Sequence, residues 1–433
     1  TGIPLSAIQD ISLQTGGFGA EYRNARSGVI NVVTREGSKE KYSGTFSFRQ
    51  SPAGQKHFGM SPYNAESFWF KPYLDEEVCW TGTNNGSWDQ YQQRQYPAFD
   101  GWNSVSEQTL ADDNPDNDLT PSGAKKLFSW EHRKQGAISL PDFNVDAGFG
   151  GPVPFLSSKL GNLRFYFSTR QEQEMYLYEV SSPGLYRQSH LLKLTSDISK
   201  KSKLVYSFYN GNMEGTTLSR GGGTSIMNDV WDLASQVNST GFTMPWRLYT
   251  NEYWSPTQVK NATHGLKYTK SISSDSYFDL LMKMDVKDYI TGHGARRDTT
   301  QNYSIFGSGE DEWFADEAPV GFFGGPLFSV EGRLAFGGAV STSRDSSSVK
   351  TYTLKGNYTK QLNNNHQLKA GGEFVLSSLD LKYGSQNEFL PSGNYWSLMD
   401  VDPYRASFYV QDKLEYKGFV AIAGLNLDVI NPN

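Results

Sequence analysis

The sequence predicts an all-β fold, an antiparallel β-barrel that crosses a membrane. Aromatic residues make up 14% of the 433 residues, while the mean hydropathy is only -0.56. No run approaches the roughly 18 apolar residues that a membrane helix needs, whereas many short segments alternate apolar and polar side chains. Short turns and long loops join these segments in alternation. This rhythm is the signature of an outer-membrane barrel, in which every second residue meets lipid.

The first elements in chain order are a turn and a short strand. Glycines and small residues crowd residues 15–20 and suit tight turns, while residues 28–33 form an apolar run typical of a short buried strand. In residues 42–49 the aromatic side chains alternate, which predicts the first strand of the barrel. About ninety polar and aromatic-rich residues follow, and we interpret them as an extracellular loop.

Ten more strands follow the same alternation. They are expected at residues 143–150, 163–170, 189–199, 204–208, 259–270, 278–287, 352–358, 368–376 and 404–416, and from residue 419 onward. In the strand at 278–287, Met282 and Met284 lie on one face and Lys283 and Asp285 on the other. Because unpaired charges are expensive in a dry core, the charged face is expected to line a wet lumen. A soluble β-sheet carbohydrate-binding protein, the other all-β interpretation, would have few inward charges.

Two sets of side chains follow from this alternation. The lipid-facing set is expected to include Phe165, Phe167, Leu280, Met282, Met284, Leu354 and Phe408. The lumen-facing set is expected to include Lys283, Asp285, Lys355 and Glu373.

Residues 15–37 read TGGFGAEYRNARSGVINVVTREG and closely resemble the end of the plug domain of TonB-dependent outer-membrane receptors. The Gly-Gly-Phe before Ala-Glu-Tyr is most similar to the Oar-like branch, whose members often carry a carboxypeptidase-regulatory-like domain ahead of the plug. Arg23 stands where the family pattern has glycine, and Arg35 where it has lysine. The residues that carry the plug motif are Gly19, Ala20, Glu21, Tyr22, Gly28, Val29, Ile30, Asn31 and Thr34.

The resemblance implies how the chain is divided. Residues 1–37 would be the C-terminal part of a plug domain, and residues 38–433 the N-terminal half of a transmembrane barrel with long extracellular loops. The class is known for barrels of 22 strands, so the roughly eleven strands expected here imply a fragment. The plug would sit in the lumen and contact inward polar residues such as Lys283, Asp285, Lys355 and Glu373. The charges that it would bring to them are Glu21, Arg23, Arg26, Arg35 and Glu36.

The resemblance also implies a function in the bacterial cell outer membrane. The protein would be a TonB-dependent transporter that binds a ligand with its extracellular loops and plug. Its partners would be TonB with the inner-membrane motor proteins and outer-membrane lipids, with a surface lipoprotein lid as an open question. The alternative is a non-transporting barrel that acts as a structural or assembly partner in a surface complex. The cargo is left open among metal chelates, vitamins, glycans, peptides and proteins.

The sequence carries no pattern typical of an enzyme. It has no HExxH, CxxC, P-loop or nucleophile elbow, so we expect neither catalysis nor a cofactor for it. Its six histidines are scattered without the spacing of metal ligands. The net charge of -6 gives no reason to expect a nucleic acid partner, and Cys79, the single cysteine, permits no internal disulfide.

Two loop features are candidates for binding. Seven tryptophans could stack on a ligand: Trp69, Trp80, Trp88 and Trp102 in the first long loop, and Trp231, Trp246 and Trp254 in a later one. The interpretation we favour for them is packing of the loops against one another and along the membrane interface.

The second feature is a run of hard oxygen ligands in the first long loop. Asp112, Asn114, Asp116 and Asp118 alternate in a way that suits a structural Ca²⁺ ion. The run lacks the central glycine and distal glutamate of an EF-hand. A solvated acidic turn is therefore the favoured alternative.

Overall fold

The computed structural model of the chain describes residues 2–15, 19–22, 28–54, 56, 58–111, 113, 118–134, 138–238, 246–249, 253–294, 302–304, 313–315, 341–386 and 391–432. Strands account for 52% of the chain and helices for 13%. No helix within these ranges is long and apolar enough to cross a membrane.

The strands fall into one large antiparallel sheet and two small hairpins. In chain order they are β1 (Ile8–Gln14), β2 (Val29–Thr34), β3 (Ser43–Ser51), β4 (Asp142–Pro152), β5 (Arg164–Met175), β6 (Gly184–Ser199), β7 (Ser202–Thr216), β8 (Pro256–Ser271), β9 (Ser276–Thr291), β10 (Asn302–Ser304), β11 (Trp313–Ala315), β12 (Ser343–Asp345), β13 (Ser348–Gln361), β14 (His366–Ser385), β15 (Tyr395–Val401), β16 (Tyr404–Tyr416) and β17 (Phe419–Asn431).

The large sheet is an up-and-down meander. Its order is β3-β4-β5-β6-β7-β8-β9-β13-β14-β16-β17, and the short strands β12 and β15 extend it beside β14. All eleven strands predicted for the barrel are confirmed in this order. Most of them run several residues further toward the long loops, where aromatic and polar residues replace the simple alternation on which the prediction rested.

The hairpin of β1 and β2 lies outside the large sheet. The predicted short strand is present as β2, but the expectation that it is buried is wrong: Ile30 is 69% exposed and Val33 is exposed as well. Strand β2 pairs only with β1 among the described strands, so neither of its faces is covered by a second layer. Strand β1 was not predicted, because its apolar residues do not follow a regular period.

The two faces of the large sheet differ most clearly on β5. There Arg164, Tyr166 and Ser168 are buried, whereas Phe167 between them is exposed. On β9, Met282 is 50% exposed, but Lys283 on the other face is exposed as well. Leu354 on β13 and Phe408 on β16 are exposed, and strand register places them on the same face as Met282.

The long loops contain helices, which the sequence interpretation left out. They are α1 (Lys71–Leu74), α2 (Gln90–Gln95), α3 (Trp102–Leu110) and α4 (Pro121–Glu131) between β3 and β4, and α5 (Val230–Asn238) between β7 and β8. Side chains from both loops and from the connection between β5 and β6 share one hydrophobic core. We call this structure the loop module. A core of its own explains how so long a connection is ordered.

Candidate functional site

The candidate site is the contact between the described parts of the N-terminal segment, residues 2–15, 19–22 and 28–37, and the buried face of the sheet. Strand alternation places Asp146 on that face, where only 7% of its surface is exposed. Its Oδ2 accepts a hydrogen bond from the Leu5 backbone N–H at 2.7 Å, and its Oδ1 accepts one from the Ser6 N–H at 2.8 Å. A buried carboxylate needs such donors, because desolvation alone would be costly.

Strand β5 adds two further contacts to the same turn of chain. The Tyr166 hydroxyl donates to the Ser6 carbonyl at 2.7 Å. The hydroxyl oxygens of Ser6 and Ser168 lie 2.5 Å apart. Hydrogen bonds from β4 and β5 therefore hold Leu5 and Ser6, at the start of the segment, against the sheet.

The Gly19–Tyr22 part of the plug motif lies near the other edge of the sheet, against β14 and β17. Lys369 on β14 forms an ion pair with Glu21, and the Asn426 side chain on β17 donates to the Ala20 carbonyl at 3.2 Å. A Cβ on Gly424 would come within 2.8 Å of the Ala20 Cβ, so the two chains approach closely here. The small residues of the motif thus serve close packing on the wall.

The end of the segment is held by Glu36. Its carboxylate accepts hydrogen bonds from Lys203 at 2.7 and 2.8 Å, and Lys193 and Arg164 lie 3.5 and 3.4 Å away. Burial raises the pKa of Glu36, but the hydrogen bond from Lys203 and the charges of all three cations outweigh it, so the pKa is lowered overall. The site is thus an anion held by cations from β5, β6 and β7.

Two neighbouring contacts reinforce this end. Lys193 also donates to the Thr34 carbonyl at 2.9 Å, which ties β2 to β6. A Cβ on Gly37 would lie 2.2 Å from the Phe165 carbonyl oxygen and 3.0 Å from that of Gly151. Glycine is therefore required where the chain passes onto the wall.

The charge pairs differ in part from the expectation. Glu21 and Glu36 do meet wall cations, whereas the Arg35 side chain donates to the Ile8 carbonyl at 3.0 Å, within the segment. Arg23 and Arg26 lie outside the described residues.

The lumen-facing residues that were expected to contact the plug form ion pairs within the sheet, whereas Glu21 and Glu36 of the segment pair with other cations of the sheet. Lys283 pairs with Asp285 at 2.8 Å, and Glu373 pairs with Arg405 at 2.9 Å and with Lys355 at 3.7 Å. The register explains the last pair, because Lys355 stands directly opposite Glu373 on the next strand. Such cross-strand pairing cannot be foreseen before the register is known.

The loop tryptophans lie mainly inside the loop module. Trp88, Trp102 and Trp254 are buried, and Trp69 and Trp80 pack partly buried against the same core. Trp231 is 77% exposed. Trp246 begins a short 3-10 turn, Trp246–Leu248. As the loops stand, Trp231 is the best placed of the described tryptophan side chains to meet a ligand, and the buried ones pack the loops together.

His132 joins the two long loops within this core. It is buried, its Nδ1 lies 2.7 Å from the Phe128 carbonyl oxygen, and its ring centroid lies 4.3 Å from that of Phe128 and 4.9 Å from that of Tyr249. Burial lowers the pKa of His132 to about 4. The imidazole is therefore neutral at neutral pH, and the sequence offered no signal for this role.

The calcium hypothesis falls largely outside the described residues, since these include Asp118 but not Asp112, Asn114 or Asp116. Asp118 is exposed. Within the described ranges, no group of three His, Cys, Asp or Glu side chains is placed to hold a metal ion. A calcium site in this loop therefore stays a prediction.

No protein-family model matches the chain, and neither does any curated protein. Solved structures do match. A variant of the ferric enterobactin receptor PfeA from Pseudomonas aeruginosa is 10% identical with a TM-score of 0.50, and the match covers 99% of this chain and 45% of that chain. The siderophore receptor PirA from Acinetobacter baumannii is 12% identical with a TM-score of 0.50, covering 99% of this chain and 44% of that chain.

The chain thus spans less than half the length of these two receptors. At such low identity the likeness concerns the fold alone. It confirms the predicted fold class, the antiparallel β-barrel architecture of receptors of this kind.

Proposed function

We propose that the protein is a TonB-dependent outer-membrane transporter of the Oar-like branch, and that residues 1–37 belong to its plug. The observation that carries the proposal is the polar seat of residues 2–37 on one face of a sheet whose other face is apolar. Asp146, Tyr166, Lys203 and Lys369 bind the segment on one side. Met282 and its neighbours are exposed on the other.

The apolar face is suited to lipid. In a membrane barrel the outward side chains meet hydrocarbon, while the inward ones meet water or a plug. Residues 38–433 would accordingly form about half of a barrel wall of about 22 strands, with the loop module outside the cell. The two similar receptors are named for ferric enterobactin and for siderophores, but the cargo of this protein is open.

The polar character of the contact between the segment and the sheet supports transport. This contact consists of hydrogen bonds and ion pairs, and water can replace these polar contacts one by one as the segment is displaced. A segment held by a dry apolar interface would resist displacement. A periplasmic TonB protein, driven by the inner-membrane motor, could therefore pull this segment away from the wall and open a path.

A disulfide across the seat tests the proposal. Ser6→Cys with Ser168→Cys replaces two hydroxyls that already touch. In the full-length protein, the oxidised pair should abolish energy-dependent uptake of whichever ligand the wild type takes from a panel of ferric chelates, vitamins and oligosaccharides. Ligand binding to whole cells should persist, and reduction should restore uptake.

The control is Ser168→Cys alone, which should transport normally under both conditions. Unchanged uptake with the disulfide demonstrably formed would contradict a moving plug. That result, or a wild type that transports nothing in the panel, would favour the structural or assembly barrel instead.

A further inference from the structure

The turn between β4 and β5 differs from the other turns at its end of the sheet. Those turns span only residues 200–201, 272–275, 362–365 and 417–418, whereas this one spans 153–163 and contains the 3-10 turn Ser158–Leu160. In outer-membrane barrels the short turns face the periplasm. The long turn is thus an exception on the periplasmic side.

The turn is held in one conformation by its own hydrogen bonds. The Val153 N–H donates to the Leu163 carbonyl at 2.9 Å, and the Ser157 N–H donates to the Val153 carbonyl at 3.0 Å. Strand β6 fastens it further, since Ser196 Oγ donates to the Leu160 carbonyl at 2.7 Å. These hydrogen bonds therefore fix the conformation of the turn.

This fixed shape presents apolar side chains to the outside. Phe155 is 95% exposed and has a φ of 61°, a region that side chains other than glycine rarely adopt. Leu156 and Leu160 are exposed beside it. A non-glycine residue in this region persists only where the surrounding structure maintains it, so the exposed position of the Phe155 ring is set by the fold of the turn.

The position and charge of the turn indicate what it contacts. The turn is hydrogen-bonded to Ser196 of β6. Ser196 lies on the same face of β6 as the apolar Leu194 and the exposed Ile198, so the tip of the turn continues the apolar face. Lys159 in the turn is exposed, and so are Lys200 and Lys201 in the turn between β6 and β7. An apolar tip with lysines in the same turn and in the turn after the next strand is complementary to a membrane surface with anionic headgroups.

We propose that this turn is a lipid anchor. Phe155 and Leu156 insert into the periplasmic leaflet beside the wall, and Lys159, Lys200 and Lys201 bind the phosphates of anionic phospholipids. The inference rests on the proposed function in two respects: the apolar face of the sheet meets lipid, and the short turns face the periplasm.

A fluorescent label on the turn tests the anchor. In the full-length protein carrying Cys79→Ser, a nitrobenzoxadiazole label is placed on Ser158→Cys, which leaves Phe155 in place. The protein is reconstituted in phosphatidylcholine vesicles with and without phosphatidylglycerol. We expect severalfold weaker quenching by aqueous iodide than for the same label on Asn364→Cys, in a short polar turn at the same end, together with quenching by lipids that carry a nitroxide near the headgroup.

Two variants separate the two parts of the anchor. Phe155→Ser should return the Ser158 label to the iodide accessibility of the Asn364 label. Replacing Lys159, Lys200 and Lys201 by Gln should remove the extra protection that phosphatidylglycerol gives.

A label on Met282→Cys distinguishes failure of the anchor from failure of the barrel. If it is quenched by deep nitroxide lipids while the Ser158 label stays as accessible as the Asn364 label, the anchor is overturned and the membrane barrel stands. The exposed turn would then be a surface for a periplasmic protein. If the Met282 label also stays in water, both proposals are overturned.

Discussion

At Glu36 a single carboxylate gathers three cations from three strands of the wall. Arg164 is buried and also lies 3.2 Å from Asp197, so the cluster extends along the rim of the sheet. Such a pair is worth little when fully exposed, but more where one partner is desolvated and hydrogen-bonded. Glu36 thus connects the end of the plug motif to three strands of the sheet by ion pairs.

Glu36→Gln should loosen the segment, because it leaves Arg164 and Lys193 without the charge that they surround. We expect a loss of about 1–3 kcal/mol in local stability. Hydrogen exchange of residues 29–37 in the full-length protein would measure it. Asp285→Asn is the matched control, since its ion pair with Lys283 lies within β9 and its loss should leave this exchange unchanged.

The Glu36 contact has a predictable pH dependence. Because the folded pKa is lowered, the stabilisation is complete above the usual pKa of 4.5 and is lost only as the pH falls below it, toward the folded pKa. Hydrogen exchange of residues 29–37 as a function of pH measures it, and wild-type protection that falls below pH 4.5 no more than it does in Glu36→Gln would contradict this assignment.

At the scale of single elements, β9 shows most clearly how alternation sets the two faces. Met282 pairs with Leu266 on β8 and Leu354 on β13, so apolar side chains of three strands lie side by side on the outer face. Lys283 belongs to the opposite face. A slip by one residue would exchange these faces completely.

Met282→Arg should therefore impair folding more than Lys283→Arg. An arginine facing the middle of the membrane costs roughly 2–4 kcal/mol, whereas arginine for lysine on the inner face keeps the charge. Heat-modifiable migration of the full-length protein on gels reports the folded barrel. Equal behaviour of the two variants would show that the assigned faces are wrong.

The loop module is an element with its own titratable core. His132 lies between side chains of both loops, and its folded pKa of about 4 is below the usual 6.5. Between these values the unfolded module binds more protons than the folded one, so stability is complete above pH 6.5 and falls as the pH drops toward 4. The difference amounts to at most about 3 kcal/mol.

His132→Gln should remove most of this acid sensitivity, because glutamine can still donate to the Phe128 carbonyl but does not titrate. Limited proteolysis of the loops at pH 7 and pH 5 would measure it. The wild type should be cleaved faster at pH 5 and the variant at nearly equal rates. A variant that keeps the full acid sensitivity would show that other groups cause it.

At the scale of the whole molecule, one sheet separates two environments. Its outer face presents Met282, Leu354 and Phe408, and its inner face presents the donors and cations that seat residues 2–37. The loop module covers the opposite end from the short turns. The apolar face, the inner face and the end that carries the loop module are thus three separate surfaces of one sheet, as the proposed transport requires for lipid, plug and outer loops.

The sequence by itself determined the antiparallel all-β class, the eleven long strands in order and, for strands with a clear alternation such as 278–287, which side is apolar. It could do so because a period of two is local information, carried by neighbouring residues. It also indicated the motif at residues 15–37, although the place of that segment on the wall followed from a resemblance.

Only the tertiary structure decided which charges meet. Glu36 with Lys203, Glu21 with Lys369 and Lys355 with Glu373 join residues far apart in the chain, and their pairing depends on strand register and on where the segment lies. The same holds for the loop module, where His132 packs against Tyr249 from the other long loop. Burial is a property of the assembled surfaces, so no local pattern distinguishes a tryptophan that packs a core from one that meets a ligand.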